Sequence, residues 1–349
     1  MADGRRPQRG GAVTIADVAR HAGVAVSTVS YVLSGKRSIS ATTRQRVLAS
    51  VRALGYHPHA GARALASNRS NVIALVLPLR SGMHLPVLMR FATTVVTTAR
   101  QYDHDVLLAT ADEGPAGLRR LAAGAVVDGL ILMDVEWQDP RVPQLRDLDV
   151  PSVLIGFPAS PAGLTCVDLD FYRAGAVCVD HLAQFGHRRI ALLGAPAVVY
   201  ERGTGFARRT MAGFTDAASR HGLDASAEPC AEDLDGVRRT VTDLFTRRPG
   251  LTGLVVHNEA AVAHVVETVR GLGRRIPDDL SMVAICPDEV AKRVAPALSS
   301  VLIPAEDVGH QAVTLLMRKL AGESVREATL LDPHLAVRAS SAARPSVRP

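Results

Sequence analysis

The stretch Gly23-Val24-Ala25-Val26-Ser27-Thr28-Val29-Ser30-Tyr31-Val32-Leu33 decides how this 349-residue chain is read. Val29, Val32 and Leu33 recur at helical spacing, so they share a buried side and leave Val26, Ser27, Ser30 and Tyr31 facing outward. Gly23 accepts the positive φ of a tight turn without steric cost, and small Ala19 before it lets a preceding helix approach closely. Two short helices around such a glycine make a helix-turn-helix pattern.

Working outward, Thr14 and Asp17 have capping-box spacing, which predicts a helix starting after Thr14. A third helix is expected to open at Ser40, to carry Val47, Val51 and Leu54 on one face, and to stop at Gly55. Pro58 breaks the run. Residues 59–66 then form an Ala-rich segment too short to hold a helix alone in water, which would fold against a DNA groove and a partner copy.

These segments resemble the headpiece and hinge of the lactose-repressor/galactose-repressor family. The likeness is carried by Val13-Thr14-Ile15-Ala16-Asp17-Val18-Ala19, Ser27-Thr28-Val29-Ser30, Thr43-Arg44, Leu54-Gly55-Tyr56 with Pro58, and Ala62-Arg63 with Leu65-Ala66. It continues to Val337-Arg338 and Ser340, so it spans nearly the whole chain. The resemblance implies that Val26, Ser27 and Tyr31 read bases, that Thr28 and Ser30 lie near phosphate, and that Thr14 and Arg63 also contact DNA. Leu65 matches the family's hinge leucine, a wedge whose unstacking of a base step is offset by the protein surface that bent DNA can reach. Two residues depart from the family pattern. Tyr31 replaces a common arginine, exchanging a bidentate guanine contact for a single hydrogen bond and a face for a thymine methyl. Ala25 stands where a capping serine is usual.

Charge agrees with this placement. Residues 1–69 hold eleven arginines and lysines against two aspartates, a net +9, whereas the remainder carries −3. A basic head on a slightly acidic body suits a partner whose phosphates release counterions on binding. After the head, continuous apolar runs at residues 72–77, 106–108, 129–132, 152–155, 190–193, 254–256 and 282–285 alternate with amphipathic stretches, the mark of buried parallel strands in α/β layers.

The expected organisation is a disordered basic tail over residues 1–12, a helix-turn-helix domain over 13–58, a hinge helix and linker over 59–70, an effector-binding and dimerisation domain over 71–340, and a tail over 341–349. By resemblance, residues 71–340 form an α/β domain with two lobes of the type I periplasmic-binding-protein kind. Lobe 1 takes about 71–168 plus 304–325, and lobe 2 about 169–303 plus 326–340. The chain would cross between them near Asp168-Leu169-Asp170 and again at 300–304, with a small molecule in the cleft.

The resemblance proposes Phe157, Asp170, Phe171, Tyr200, Arg208, Thr210, Asn258, Cys286 and Asp288 around that ligand. Three usual polar anchors are replaced: acidic and basic strand ends read Gly156-Phe157, an arginine is Thr210, and an Asp-Asp pair is Cys286-Pro287. Loss of those groups predicts a poor grip on simple sugars and a flatter or more apolar ligand.

No catalytic motif appears. Gly203-Thr204-Gly205 lacks the third glycine of a dinucleotide fingerprint, and Cys166, Cys178, Cys230 and Cys286 lack metal spacing and read as buried thiols. His187 is expected to order a helix-to-strand turn. No metal, cofactor, membrane span or secretion signal is expected. A solute-binding protein built on the same lobes is opposed by the basic head, and an enzyme by the lack of a motif. The sequence therefore predicts a cytoplasmic, homodimeric repressor of a pseudo-palindromic operator. A tetramer is not expected, because the residues after Ser340 hold no leucine heptads.

Overall fold

The computed structural model describes residues 13–34, 37–56, 69–124, 126–161 and 163–344. It divides into two compact units, Met1–Asn71 and Val72–Pro349.

The first unit contains α1 (Ile15–Ala22), α2 (Val26–Ser34) and α3 (Ala41–Leu54). Thr14 caps α1 in a complete capping box, and Gly23 ends it at φ 60°. Ser40 caps α3 and Gly55 ends it at φ 59°. Val18, Val29 and Val47, one from each helix, have no exposed surface and meet Ala19, Ala22, Val32 and Tyr56 in a small core. His21 Nδ1 lies 3.0 Å from Ser50 Oγ, which donates to the Arg46 carbonyl, so a polar link also joins α1 to α3.

The second unit opens with β1 (Val72–Val76), α4 (Leu85–Gln101), β2 (Asp105–Ala109), α5 (Gly114–Ala123), β3 (Gly129–Leu132), α6 (Arg141–Asp147), β4 (Ser152–Ile155) and β5 (Thr165–Leu169). Then come α7 (Phe171–Gln184), β6 (Arg189–Gly194), α8 (Ala197–Glu201), α9 (Gly205–Arg220), β7 (Asp224–Pro229), α10 (Leu234–Arg247), β8 (Gly253–Val256), α11 (Val262–Gly271), β9 (Ser281–Cys286), α12 (Asp288–Arg293) and β10 (Ser299–Leu302). The chain closes with α13 (Ala305–Leu320), β11 (Ala328–Leu331) and β12 (Leu335–Ala336).

Two six-stranded sheets result, ordered β11-β5-β4-β3-β1-β2 and β12-β10-β9-β8-β6-β7. All pairings are parallel except that of β12 with β10. Central strands such as β3, β4, β8 and β9 are buried along their whole length, because helices cover both faces. That is why they read as uninterrupted apolar runs.

The lobe boundary expected at 325/326 is corrected. Residues 328–331 pair with β5 in the first sheet, whereas Leu335 and Ala336 pair with β10 in the second, so the chain crosses a third time between 331 and 335. The edge strand β11 leaves Leu330 43% exposed, so no full apolar run announces it in sequence. Beyond β12, the Met282 amide donates to the Ser340 carbonyl, and Ser340 Oγ donates to the Met282 carbonyl, tying residues 335–342 to the second lobe.

His187 is buried where α7 turns into β6. Its ring nitrogens lie 3.1 Å from Thr252 Oγ1 and 3.2 Å from the Ala342 carbonyl. Burial lowers its pKa, so the ring is a neutral structural link.

Candidate functional site

In the first unit, α2 turns Val29 and Val32 into the core and leaves Val26 45% exposed. Ser27 is exposed, and Thr28, Ser30 and Tyr31 are half-buried. Thr14 is committed to the cap, where its hydroxyl donates to Asp17 and accepts from the Asp17 amide. The Arg37 guanidinium lies 5.8 Å from the centre of the Tyr31 ring, so cation and phenol form one surface feature. Without a side-chain cap at Ala25, α2 starts on backbone bonds alone, the Ala25 carbonyl accepting from the Thr28 and Val29 amides. Arg63 and Leu65 lie outside the described residues.

In the second unit, a cavity of about 120 Å³ sits where the carboxyl ends of strands from both sheets face each other. Met83, Phe91, Met133 and Ile155 line it from the first lobe, and Val199, Phe171 and Phe206 from the second. Parallel sheets concentrate ligand sites at this end because loops and helix starts diverge there. Phe171, Phe206 and His257 form a ring cluster with centroids 5.5 to 5.6 Å apart.

Polar groups interrupt the apolar wall. Asp134 is held by Arg80 at 3.1 Å, with Arg202 at 4.0 Å. Asp168, at the end of β5, accepts from the Leu169 amide at 2.9 Å, yet burial pushes its carboxyl up to about 7. Burial likewise raises the Glu259 carboxyl to about 7, with the Glu232 charge adding to it. His257 is 2% exposed, its Nδ1 has no partner, and burial lowers its pKa to about 4. His84 also has an unpartnered Nδ1 and a pKa lowered by burial. Asn258 is spoken for, its amide donating to the Cys230 carbonyl at 2.8 Å.

The lobes are joined beside the cavity. Arg202 donates to the Ser81 carbonyl at 3.0 Å, the Trp137 amide to the Gly203 carbonyl at 2.7 Å, and the Gly205 amide to the Val135 carbonyl at 2.9 Å. Arg90 pairs with Glu306 at 2.7 Å and with Glu289 across the gap. Arg209 lies 5.0 Å from the ring centres of both Trp137 and Phe157.

Of the ligand residues expected from sequence, only Phe171 and Asn258 line this cavity. Phe157 sits beneath Arg209 outside it. Asp170 caps α7 by accepting from the Arg173 amide. Tyr200 and Arg208 face a separate surface groove. Thr210 is fully buried where α9 crosses α7 and donates to the Phe206 carbonyl. Cys286 is fully buried in the second lobe's core, and Asp288 is paired with Lys292 and Arg338. The common cause is geometric: these side chains point away from the strand ends or are consumed by caps and ion pairs. Sequence reasoning missed His84, Arg202, Phe206 and Glu232 as cavity residues. Asp168 and Glu259 stood beside residues it selected. Position at the carboxyl end of a strand for Asp168, and just after one for Glu232 and Glu259, was the available signal.

Comparison with known proteins agrees with both units. Residues 14–59 match the family model of bacterial regulatory proteins, lacI family, and residues 179–341 match that of the periplasmic binding protein-like domain. Catabolite control protein A of Priestia megaterium is 28% identical over 328 residues, covering 92% of this chain and 97% of that protein. The HTH-type transcriptional regulator CelR of Thermobifida fusca is 28% identical over 337 residues, covering 94% and 98%. Among solved structures, a transcriptional regulator CelR–cellobiose complex aligns with a TM-score of 0.68 at 27% identity, covering 94% of this chain and 99% of that one. The lac repressor dimer bound to operator and the anti-inducer ONPF aligns with a TM-score of 0.81 at 22% identity, covering 95% and 100%, a likeness of fold.

Proposed function

The chain belongs to the LacI/GalR family of bacterial regulatory proteins, and on that premise we propose that it represses transcription by binding an operator under the control of a small molecule in the interlobe cavity. It is a sequence-specific DNA-binding transcriptional regulator rather than an enzyme. The observation that carries the reading is the pairing of two features in one chain: a helix with a polar exposed face after a glycine turn, and a ligand-sized cavity at the strand ends of two lobes.

We assign base reading to Val26, Ser27 and Tyr31, and backbone contacts to Thr14, Thr28, Ser30 and Arg63. Leu65 takes the wedge role that its place in the hinge motif implies. A homodimer presents two such helices to a pseudo-palindrome, so half-site spacing follows the protein's two-fold symmetry. Among the described residues no helix is long and apolar enough to cross a membrane, and DNA as the target supports a cytoplasmic site of action.

The cavity is comparable to the ~150 Å³ void that accepts one benzene, so it encloses about one ring while the lobes stay joined. Larger ligands require the Arg202, Trp137 and Arg90 contacts to part, which is how lobe movement would couple to DNA. The CelR complex holds cellobiose. In this chain Phe171, Phe206 and the buried polar groups would supply the corresponding contacts. Selection of bound sequences from random duplex DNA, followed by gel-shift titration, tests the reading. A two-fold symmetric motif is expected, and salt-sensitive binding without sequence preference would overturn it.

A further inference from the structure

Three carboxyl groups line the interlobe cavity without a cation. Asp168 enters from the first lobe and Glu232 and Glu259 from the second, and no described lysine or arginine lies within ion-pair distance of any of them. On the remaining charged wall Asp134 pairs with Arg80 at 3.1 Å and lies 4.0 Å from Arg202, whose buried Nε has no hydrogen-bond partner. Arg209 acts on Asp168 only from a distance, and Asp170 opposes it. His84 and His257 add no positive charge, because burial keeps both rings neutral. Phe91, Phe171 and Phe206 line the same cavity, and the 98%-buried His257 offers an unpartnered Nδ1.

A neutral polyol could hydrogen-bond to these carboxyls in either protonation state but would gain nothing from their charge in a water-poor site. A cation both offsets the charge and gains from the ring faces. Resting on the effector reading above, we propose that the cavity selects an effector carrying a protonated amine on an apolar, ring-sized body, with the ammonium held by Glu259 beside Glu232 and the body against Phe171 and Phe206. In the empty cavity burial holds Glu259 near half-protonation at neutral pH. Binding the ammonium favours its ionised form, so the complex expels a proton and tightens as pH rises from about 5.5 to about 8.

The test is calorimetric titration of the full chain with matched probes: cyclohexylmethylamine against cyclohexylmethanol, and benzylamine against benzyl alcohol, each in two buffers of different ionisation enthalpy. At least one amine is expected to bind about ten- to a hundredfold more tightly than its neutral partner, the range for hydrogen bonds to charged groups. Protons should be released near pH 6.5, and Glu232→Gln and Glu259→Gln should each weaken the preference while leaving the far-ultraviolet spectrum unchanged. Equal binding of amine and neutral partner, or amine affinity that does not change with pH, overturns the proposal. If only neutral probes bind, the effector cleft stands and the cationic ligand falls. If no probe binds, the cationic ligand falls and the effector reading loses its support, while operator selection still tests DNA binding independently.

Discussion

Gly213 on α9 and Tyr172 on α7 bring two helix backbones into direct contact: a Cβ on Gly213 would lie 1.8 Å from the Tyr172 carbonyl oxygen. One turn away, a Cβ on Gly175 would lie 2.3 Å from the Thr210 carbonyl oxygen. This crossing seats α7 and α9, and with them Phe171 and Phe206 in the cavity wall. Gly213→Ala should therefore lower the stability of the two-lobed unit by about 1–3 kcal/mol, the usual cost of overpacking. Urea unfolding followed by far-ultraviolet circular dichroism measures it. An unchanged midpoint would mean that the helices stand further apart.

Arg141 and Asp139 form a buried pair at 2.7 Å, with side-chain exposures of 3% and 0%. Burial pushes the Asp139 carboxyl up, but the hydrogen bonds and charge of Arg141, with the amides of Glu136 and Arg141, hold it below its ordinary value. A carboxyl lowered by folding contributes stability that is present above its unfolded value of about 3.8 and is lost as pH falls through the folded value. Arg141→Ala leaves that carboxylate buried and alone, at a cost of about 3–5 kcal/mol near neutral pH. Its pKa then rises above the unfolded value, so the variant recovers stability as pH falls toward about 4.5, where the parent still keeps the pair's contribution. Denaturation at about pH 7 and about pH 4.5 should show the gap narrowing, and a constant gap would assign the loss to packing alone.

At the other end of the chain, Thr14→Ala removes the side-chain acceptor of the first helix and should cost the helix-turn-helix unit about 1 kcal/mol. The Thr14 hydroxyl and amide, with Arg20, hold the Asp17 carboxyl below its ordinary value. The box therefore contributes above about pH 3.8 and fades as pH falls further. Thr14→Ser should keep the cap and Thr14→Ala should not. Amide hydrogen exchange in residues 15–22 distinguishes them, and identical protection in both variants would remove the cap from the account.

These contrasts show which parts of the molecule were legible in sequence. Thr14 with Asp17, Gly23, Ser40 and Gly55 act on residues three or four positions away, so their chemistry can be read locally. Apolar runs such as 282–285 are buried on both faces and announce themselves. The third lobe crossing was hidden because Leu331 and Leu335, four residues apart, belong to different sheets, and the segment Asp332-Pro333-His334 between them marks a strand end without telling which sheet the next strand joins. The cavity was hidden for a related reason. His84, Glu232 and Phe206 meet only after two sheets fold and face each other, and nothing near any one of them in sequence records the other two.

Tyr31 lies on the helix proposed to read bases, and the nearby Arg37 guanidinium gives a specific expectation for changing it. Tyr31→Arg should shift the preferred base within each half-site toward guanine, by about 1–3 kcal/mol of discrimination. It also places a second cation beside Arg37, so affinity for random DNA should rise and become more salt-dependent. Parallel selections with parent and variant, at two salt concentrations, measure both effects. An unchanged motif would show that the Tyr31 position does not face bases.

Trp137, the chain's single tryptophan, reports on the joint between the lobes. It lies in the first lobe, donates its amide to the Gly203 carbonyl of the second at 2.7 Å, and has the Arg209 guanidinium 5.0 Å from its ring centre. Parting of the lobes would break both contacts and bring water to the indole. Its emission should therefore move to longer wavelength when a ligand larger than one ring parts the lobes. Arg209→Leu removes the cation while keeping an apolar neighbour, so it should alter the starting intensity but preserve the ligand-dependent shift. Emission spectra recorded through a calorimetrically verified titration provide the measurement. If the spectrum stays fixed from empty to saturated cavity, the lobes move as one body and control of the operator cannot pass through their separation.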